Sequence, residues 1–163
     1  MITQQEVLNL FDYVDGALYW KNTTCPRLKN GERAGFVNEN GYHKIKIKNK
    51  PYGEHQIVFL MFNGYLPKVL DHINCIRNDN RIENLRVVTT QENSINRSMY
   101  KNNKSGYKGV SYNTNKNKWV VTIQLNKKKK HIGCFEDVES ADLVSQEAIS
   151  KYHGKFANYG RTL

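Results

Sequence analysis

Residues Asp71–Asn93 read DHINCIRNDNRIENLRVVTTQEN, and the predicted fold is organised around this stretch. It opens with an acid and a histidine side by side, Asp71 and His72. A loop rich in asparagine follows, and Asn84 stands just before a short apolar run. Asn and Asp permit the turns that such a loop requires. The pattern predicts a strand, a loop, a second strand and a polar helix that carries Asn93.

These residue types are suited to the hydrolysis of a phosphodiester. A neutral imidazole, whose reference pKa is about 6.5, can take the proton of an attacking water, so His72 is the candidate general base. A hard cation such as Mg²⁺ is held by one or two protein oxygens together with substrate phosphates. Asp71 and the side-chain oxygen of Asn93 are suitable metal ligands, and Mn²⁺ or another divalent metal could substitute. Asn84 could bind loop backbone groups and hold His72 in place.

Other interpretations of the same residues stay open. An Asp-His pair in a loop with asparagines is, taken alone, also typical of ordinary turn chemistry. A zinc site through His72 and Cys75 is disfavoured, because no second Cys/His pair is present to complete four ligands. His55, at the start of a predicted helix, is expected to pack against its neighbours rather than to act as a ligand.

The charge of the chain is concentrated in one segment. The formal net charge is +10 and the pI is near 9.5. Residues 101–130 carry nine Lys and no acid, whereas residues 1–98 carry 13 Lys and Arg against 10 Asp and Glu. Such a basic block favours a polyanionic partner, and we expect nucleic acid rather than a membrane.

The remaining composition predicts a cytoplasmic setting. Three widely spaced cysteines without a C-x-x-C pair indicate reduced thiols. No apolar run approaches the roughly 20 residues of a membrane span, and the N-terminus lacks the regions of a signal peptide. No segment suggests a dimer interface, so we expect a monomer rather than an obligate dimer.

The first part of the chain is predicted to mix helices and strands. The expected elements are a helix capped by Thr3 and extending to Phe11, a strand Ala17–Trp20, a hairpin of Ala34–Val37 and Tyr42–Lys48, a buried helix Glu54–Asn63 ended by Gly64, and strands Lys68–Leu70 and Leu85–Val88. The strand 42–48 alternates polar and apolar residues. Its Lys44 and Lys46 contact either solvent or the DNA backbone, and Arg77 is a further candidate DNA contact.

A second domain is predicted to follow an apolar-poor segment, which places the boundary between domains 1–98 and 99–163. Its expected strands are Gly109–Tyr112, Trp119–Leu125 and Lys130–Phe135, joined by turns at 113–117 and 126–129. An amphipathic helix follows and is stopped by Gly154. The order predicts a small sheet with a helix on one face.

Two sets of segments in the chain resemble known protein families. The segments LFDYVDGALYWK, GYHKIKI, EHQIVFLMFNGYLP and DHINCIRNDNRIENLRVVTTQEN resemble phage and intron-encoded HNH endonucleases of the ββα-metal class. Residues 105–159 resemble the Apetala-type (ethylene-response-factor-like) DNA-binding domain. The resemblances together imply an α+β protein, in which a ββα-metal HNH nuclease domain precedes a three-stranded antiparallel sheet packed on one helix.

The resemblance also implies an activity and its residues. It implies a homing-type, metal-dependent DNA endonuclease that nicks or cleaves double-stranded DNA. His72 would be the general base, Asp71 and Asn93 the metal ligands, and Asn84 the middle signature residue that braces the loop. Cys75 replaces the glycine expected in this turn, and a left-handed backbone there would cost roughly 1 kcal/mol. The alternatives are a non-catalytic DNA-binding protein on an HNH scaffold and an RNA-binding module.

For the second domain the resemblance implies a sheet laid in the DNA major groove. Trp119 could equally belong to the core. Lysines 127–130 are expected in a turn, where they would meet phosphates and carry little sequence information. The candidate DNA contacts of this domain are Tyr107, Lys108, Tyr112, Lys118, Trp119, Thr122, Lys127, Lys128, Lys129 and Lys130.

Overall fold

A computed structural model describes residues 2–96, 99, 102–125 and 128–160 of the 163-residue chain. The chain divides into two compact units, Met1–Val88 and Thr89–Leu163. Each combines short helices with small antiparallel sheets, so the fold is α+β. Within the described ranges, no helix is long and apolar enough to cross a membrane. The domain boundary after residue 98 stays a prediction.

The first unit begins with a helix and a hairpin. Helix α1 spans Gln4–Leu10 and starts in a capping box between Thr3 and Glu6. Strands β1 (Phe11–Val14) and β2 (Ala17–Trp20) pair antiparallel. The prediction that Phe11 belongs to the helix is wrong. Its backbone is extended and pairs with Trp20 across the hairpin, and the two rings pack with centroids 4.7 Å apart.

A three-stranded sheet follows, with the order β3-β4-β5. The strands are β3 (Phe36–Val37), β4 (His43–Ile47) and β5 (Lys50–Gly53). In β4, Ile45 and Ile47 are buried while Lys46 is exposed, as the alternation predicts. Strand β5, which was not predicted, contains Pro51. It forms an edge of the sheet, where a missing N–H is tolerated.

The central helix and the last two strands complete the first unit. Helix α2 spans Glu54–Asn63 as predicted, and Gly64 ends it with φ of +78° and an N–H that donates to the Leu60 carbonyl. Strand β6 is Leu70–His72 rather than 68–70, and it pairs antiparallel with β7 (Leu85–Val87). A short 3-10 turn precedes β7. The core of this unit includes Val7, Phe11, Leu18, Ile45, Ile57, Val58 and Leu60.

The second unit contains the predicted β-β-β-α sequence of elements. Helix α3 (Thr90–Ile95) opens in a capping box formed by the preceding Thr89 and Glu92. Strands β8 (Val110–Asn113), β9 (Lys118–Leu125) and β10 (Lys128–Phe135) form a sheet in the order β10-β9-β8. Helix α4 (Val138–His153) is capped by Asp137. Its Ala141, Ala148 and Ile149 join the cores that contain Val110, Val121 and Ile123.

The structure corrects the position of the lysine run. Lys128 and Lys129 were predicted in a turn, but they lie in β10, and so does Lys130, which was expected both in that turn and at the start of the third strand. They pair with Leu125, Gln124 and Ile123 of β9, because β9 is long enough to extend the ladder to its end. Lys127 lies outside the described residues.

Candidate active site

Strand β6 delivers Asp71 and His72 to the start of a tight loop. Neighbouring residues of a strand point to opposite faces, and the register places Asp71 opposite Arg86 and His72 opposite Leu85. The chain turns immediately afterwards, since the Cys75 N–H donates to the His72 carbonyl at 3.0 Å. His72 is therefore the last residue of its strand, at the mouth of the loop.

Asn84 ties the two ends of this loop together. Its Nδ2 donates to Oδ1 of Asn74 at 2.9 Å and to the carbonyl of Asp79 at 2.8 Å. Its Oδ1 accepts the N–H of Asn74 at 3.0 Å. The residue is only 7% exposed. One buried amide thus binds backbone groups on both sides of the loop.

A second set of contacts stiffens the loop from its surface. Arg81 donates through Nε and a terminal nitrogen to the Asp79 carboxylate, both at 2.8 Å, and this hydrogen bonding lowers the pKa of Asp79 to about 2. Asn74 Nδ2 donates to the same carboxylate at 2.6 Å. The backbone of Cys75 is left-handed, with φ of +62°. The strained turn that the missing glycine suggested is therefore present.

The imidazole of His72 is buried, with 6% exposure, and meets an asparagine that sequence reasoning missed. His72 Nε2 lies 2.9 Å from Oδ1 of Asn80. Asn80 in turn donates through Nδ2 to Oε2 of Glu54 at 2.8 Å. Asn80 is 1% exposed and Glu54 fully buried. A sequence signal existed, because an acid inside a buried helix must find hydrogen-bond partners.

Glu54 is surrounded by groups that donate to it. The Leu18 N–H donates to Oε1 at 2.9 Å, from a residue 36 positions earlier in the chain. The Arg33 guanidinium donates to both carboxylate oxygens, at 2.9 Å to Oε2. His43 Nδ1 lies 3.3 Å from Oε2, and burial lowers the pKa of His43 although the Glu54 charge opposes this shift. Glu54 is thus a paired, buried acceptor behind His72.

Two further rings stand beside His72. The His55 ring centroid is 5.2 Å from that of His72, and Tyr42 is 6.2 Å away. Burial, then repulsion from His72 and Lys44, lowers the pKa of His55 to about 4, so its imidazole is neutral at neutral pH. A Cβ at Gly53 would lie 2.5 Å from a ring carbon of His55. The His55 ring therefore lies close against the backbone of Gly53, and this contact favours the predicted packing role of His55.

Asp71 and Asn93 were predicted to hold a metal. Oδ2 of Asp71 accepts from Nε and a terminal nitrogen of Arg86, both at 3.0 Å, across the β6–β7 pair. Asn93 is exposed on α3, in the second unit. Among the described residues, no group of three His, Cys, Asp or Glu side chains could hold a metal. A carboxylate with an amide oxygen suits a hard, largely hydrated cation, and it does not suit a four-ligand zinc site.

The predicted DNA contacts of the first unit lie on its surface. Lys46 is exposed and Lys44 half-buried. Arg77 stacks over the Tyr42 ring at 5.4 Å and donates to the carbonyl of Asn40 at 2.8 Å. Since Tyr42 also neighbours His72, Arg77 places a positive charge on the periphery of the same ring cluster.

The predicted contacts of the second unit divide between core and surface. Trp119 and Tyr107 pack against the core of Val110, Val121 and Ala141, and Tyr112 meets the Trp119 ring edge-on at 5.0 Å. Three of the lysines are engaged by hydrogen bonds or ion pairs. They are Lys118 with Glu136 (2.8 Å), Lys108 with the Ile95 carbonyl (3.1 Å) and Lys130 with the Tyr152 hydroxyl (2.8 Å).

The alternation of β9 identifies the face of the sheet that points away from the core. Val121 and Ile123 are buried, so Thr122 between them points to the opposite side. Gln124, two residues after Thr122, points to the same side of the sheet as Thr122. Lys129 of β10 pairs with Gln124, so its side chain lies on that side too, and it is exposed. Thr122 and Lys129 therefore share the open face, and Lys128 is exposed at the end of β10.

The chain is similar to known proteins over part of its length. Protein 3.8 of Escherichia phage T7 is 29% identical over 99 residues, which are 60% of this chain and 81% of that protein. No solved structure matches the chain. Residues 52–95 match the family model described as HNH endonuclease, and this match contains Asp71, His72, Asn84 and Asn93.

Proposed function

We propose that the chain is a metal-dependent DNA endonuclease in which His72 is the general base. The observation that carries the proposal is the position of His72 within the HNH-matched segment. It ends a strand at the mouth of a cross-braced loop, and its Nε2 is held by a buried amide. A histidine oriented in this way can take a proton from water as that water attacks phosphorus.

The proposed roles of the neighbouring residues follow from their contacts. Asn84 keeps the loop closed, so that His72 and Asp71 leave β6 in a constant geometry. Asp71, oriented by Arg86, and Asn93 are the proposed ligands of Mg²⁺ or Mn²⁺. The metal would supply charge neutralisation at the phosphate and at the 3′-leaving oxygen. Arg77 and Lys46 are proposed to bind neighbouring phosphates.

The second unit is proposed to dock double-stranded DNA as an Apetala-type sheet. Its open face carries Thr122 and Lys129, and no ion pair of Lys129 occurs within the described part of the chain. The block 101–130 contributes nine positive charges. Phosphate contacts by such a block raise affinity for any duplex, while the sheet supplies contacts that depend on sequence. A monomer with one such centre is expected to nick one strand per encounter.

Nicking of supercoiled plasmid tests the proposed base. Wild type should convert the plasmid to the nicked form with Mg²⁺ and leave it intact with a chelator. His72→Ala should lower the single-turnover rate at least about a hundredfold, because general base catalysis contributes 10² to 10⁴. Asn78→Ala, an exposed position in the same loop, is the matched control and should retain the rate.

The contrary outcomes have different meanings. Equal nicking by wild type and His72→Ala would refute the role of His72. Wild type that binds plasmid but leaves it uncut with Mg²⁺ and with Mn²⁺ would favour a non-catalytic DNA-binding protein. Asp71→Asn and Asn93→Ala should each raise the Mg²⁺ concentration needed for half-maximal nicking, and an unchanged requirement would remove that residue from the metal site.

A further inference from the structure

A buried series of hydrogen bonds leads from Glu54 through Asn80 to His72, and the donor and acceptor in each bond can be assigned. Glu54 is fully buried and accepts from the Leu18 N–H and from the Arg33 guanidinium. A carboxylate in this setting is an acceptor only. The group that meets its Oε2 from Asn80, 2.8 Å away, must therefore be a donor.

This requirement orients the amide of Asn80. Its Nδ2 must face Glu54, which turns Oδ1 toward His72 Nε2 at 2.9 Å. A carbonyl oxygen can only accept, so Nε2 must carry the hydrogen in that contact. With the side chain of Asn80 only 1% exposed, water does not readily substitute for either partner.

We infer that Asn80 and Glu54 are positioning residues that hold neutral His72 in its Nε2–H tautomer, leaving Nδ1 as the nitrogen that takes the proton. The opposite tautomer would place two lone pairs against each other between Nε2 and Oδ1. Rotating the Asn80 amide to avoid this would turn its oxygen toward the Glu54 carboxylate. Either arrangement loses a buried hydrogen bond, and the observed one loses none.

The catalytic consequence rests on the proposed function. A general base works only with its lone pair on the nitrogen that faces the attacking water, and the proposed function assigns that place to Nδ1, so a fixed tautomer would keep every His72 competent. Glu54 and Asn80 act through His72, and neither is assigned a contact with substrate. Arg33 and the Leu18 N–H donate to the Glu54 carboxylate and so help to hold it in place.

The tautomer can be measured without DNA or metal. Long-range ¹H–¹⁵N correlation spectra of the ¹⁵N-labelled full chain distinguish protonated from unprotonated ring nitrogens. The chain has five histidines, and loss of one ring system in His72→Gln assigns the signals of His72. At a pH where the ring is neutral, we expect a protonated Nε2 and an unprotonated Nδ1. A predominant Nδ1–H form in wild type would overturn the inference, whatever the variants do.

Two substitutions of Asn80 distinguish the effect of its hydrogen-bond acceptor from the effect of its side-chain volume. Asn80→Asp retains an oxygen that accepts from Nε2–H, and the facing Glu54 carboxylate favours its protonated acid, whose O–H replaces the Nδ2 donor, so this variant should keep the tautomer. Asn80→Leu has similar volume without the acceptor and should shift His72 toward a mixture of both forms. Asn78→Ala is the control and should give the wild-type spectrum. An unchanged Nε2–H form in folded Asn80→Leu would also overturn the inference.

Nicking rates connect the tautomer to the chemistry and separate the two proposals. Asn80→Leu should lower the single-turnover rate about tenfold to a hundredfold at saturating protein, with the affinity for plasmid unchanged, and Asn80→Asp should retain more activity. Absent nicking with the Nε2–H tautomer in place would reject the proposed function and keep the inference. If wild-type protein nicks DNA while His72 is in the Nδ1–H form, the inference is rejected and the proposed function is kept.

Discussion

Cys75 occupies the turn directly after the proposed base, in a backbone conformation that usually belongs to glycine. Its φ is +62°, and its N–H is the group that donates to the His72 carbonyl. A side chain in the left-handed region costs about 1 kcal/mol, because Cβ approaches the neighbouring carbonyl. Hydrogen bonds of Asn84 and Asn74 to Asp79 hold the loop on both sides of this turn, and a strained backbone persists where the surrounding contacts fix it.

Cys75→Gly should therefore stabilise the protein by about 1 kcal/mol in urea unfolding. The expected gain is a higher midpoint at an unchanged m-value, since the surface exposed on unfolding stays the same. Cys75→Ala is the matched control, because alanine removes the thiol but keeps Cβ, and it should not produce this gain. Equal free energies of unfolding for the glycine and alanine variants would show that the turn is not strained at this residue.

At the scale of elements, the hairpin of β3 and β4 depends on a close approach at Gly35. A Cβ on this glycine would lie 2.2 Å from the Lys44 carbonyl oxygen, and its φ is +89°. Strand β4 also carries His43, whose Nδ1 lies 3.3 Å from Glu54. A displacement of β4 would thus reach the buried groups that orient His72.

We expect Gly35→Ala to lower the free energy of unfolding by at least about 2 kcal/mol more than Gly41→Ala. Both glycines have positive φ and share the left-handed penalty of about 1 kcal/mol. Only Gly35 adds a backbone clash, because nothing lies within 4 Å of a Cβ at Gly41. Urea unfolding of both variants is the measurement, and equal losses would show that the hairpin absorbs the extra carbon without cost.

At the scale of the whole molecule, charge is divided between paired and exposed cations. The +10 net charge includes Lys118, which is paired with Glu136 at 2.8 Å, and the exposed Lys129. A cation that meets a phosphate releases condensed counterions, and each such contact adds about −0.9 to the slope of log K against log salt. A lysine already paired with an acid contributes less to this slope.

Lys129→Gln should reduce the magnitude of the salt slope by about 0.9, whereas Lys118→Gln should reduce it less. The measurement is duplex DNA affinity over a range of salt concentrations, with wild type and both variants in parallel. Each substitution removes one positive charge, so the pair is matched in net charge. A slope for Lys129→Gln equal to that of wild type would remove the open face of β9 and β10 from the proposed DNA interface.

Local sequence pattern determined most of the elements of this chain. The buried helix α2 with its glycine end, the alternation in β4 and the β-β-β-α order of the second unit were all predictable. Each depends on residues within a few positions of one another. The Asp71-His72 pair and the loop-binding amide of Asn84 were singled out in the same way, since turn and ligand chemistry are readable from residue types.

Tertiary structure alone decided how these residues are held. The contacts of Glu54 with Leu18, Arg33 and Asn80 join residues 36, 21 and 26 positions apart. Phe11 left its predicted helix because burial against Trp20 outweighs a weak local preference. Burial and hydrogen-bond satisfaction are properties of the packed chain. The sequence by itself therefore indicated which side chain could act as a base, and only the fold decided which nitrogen of His72 meets Asn80.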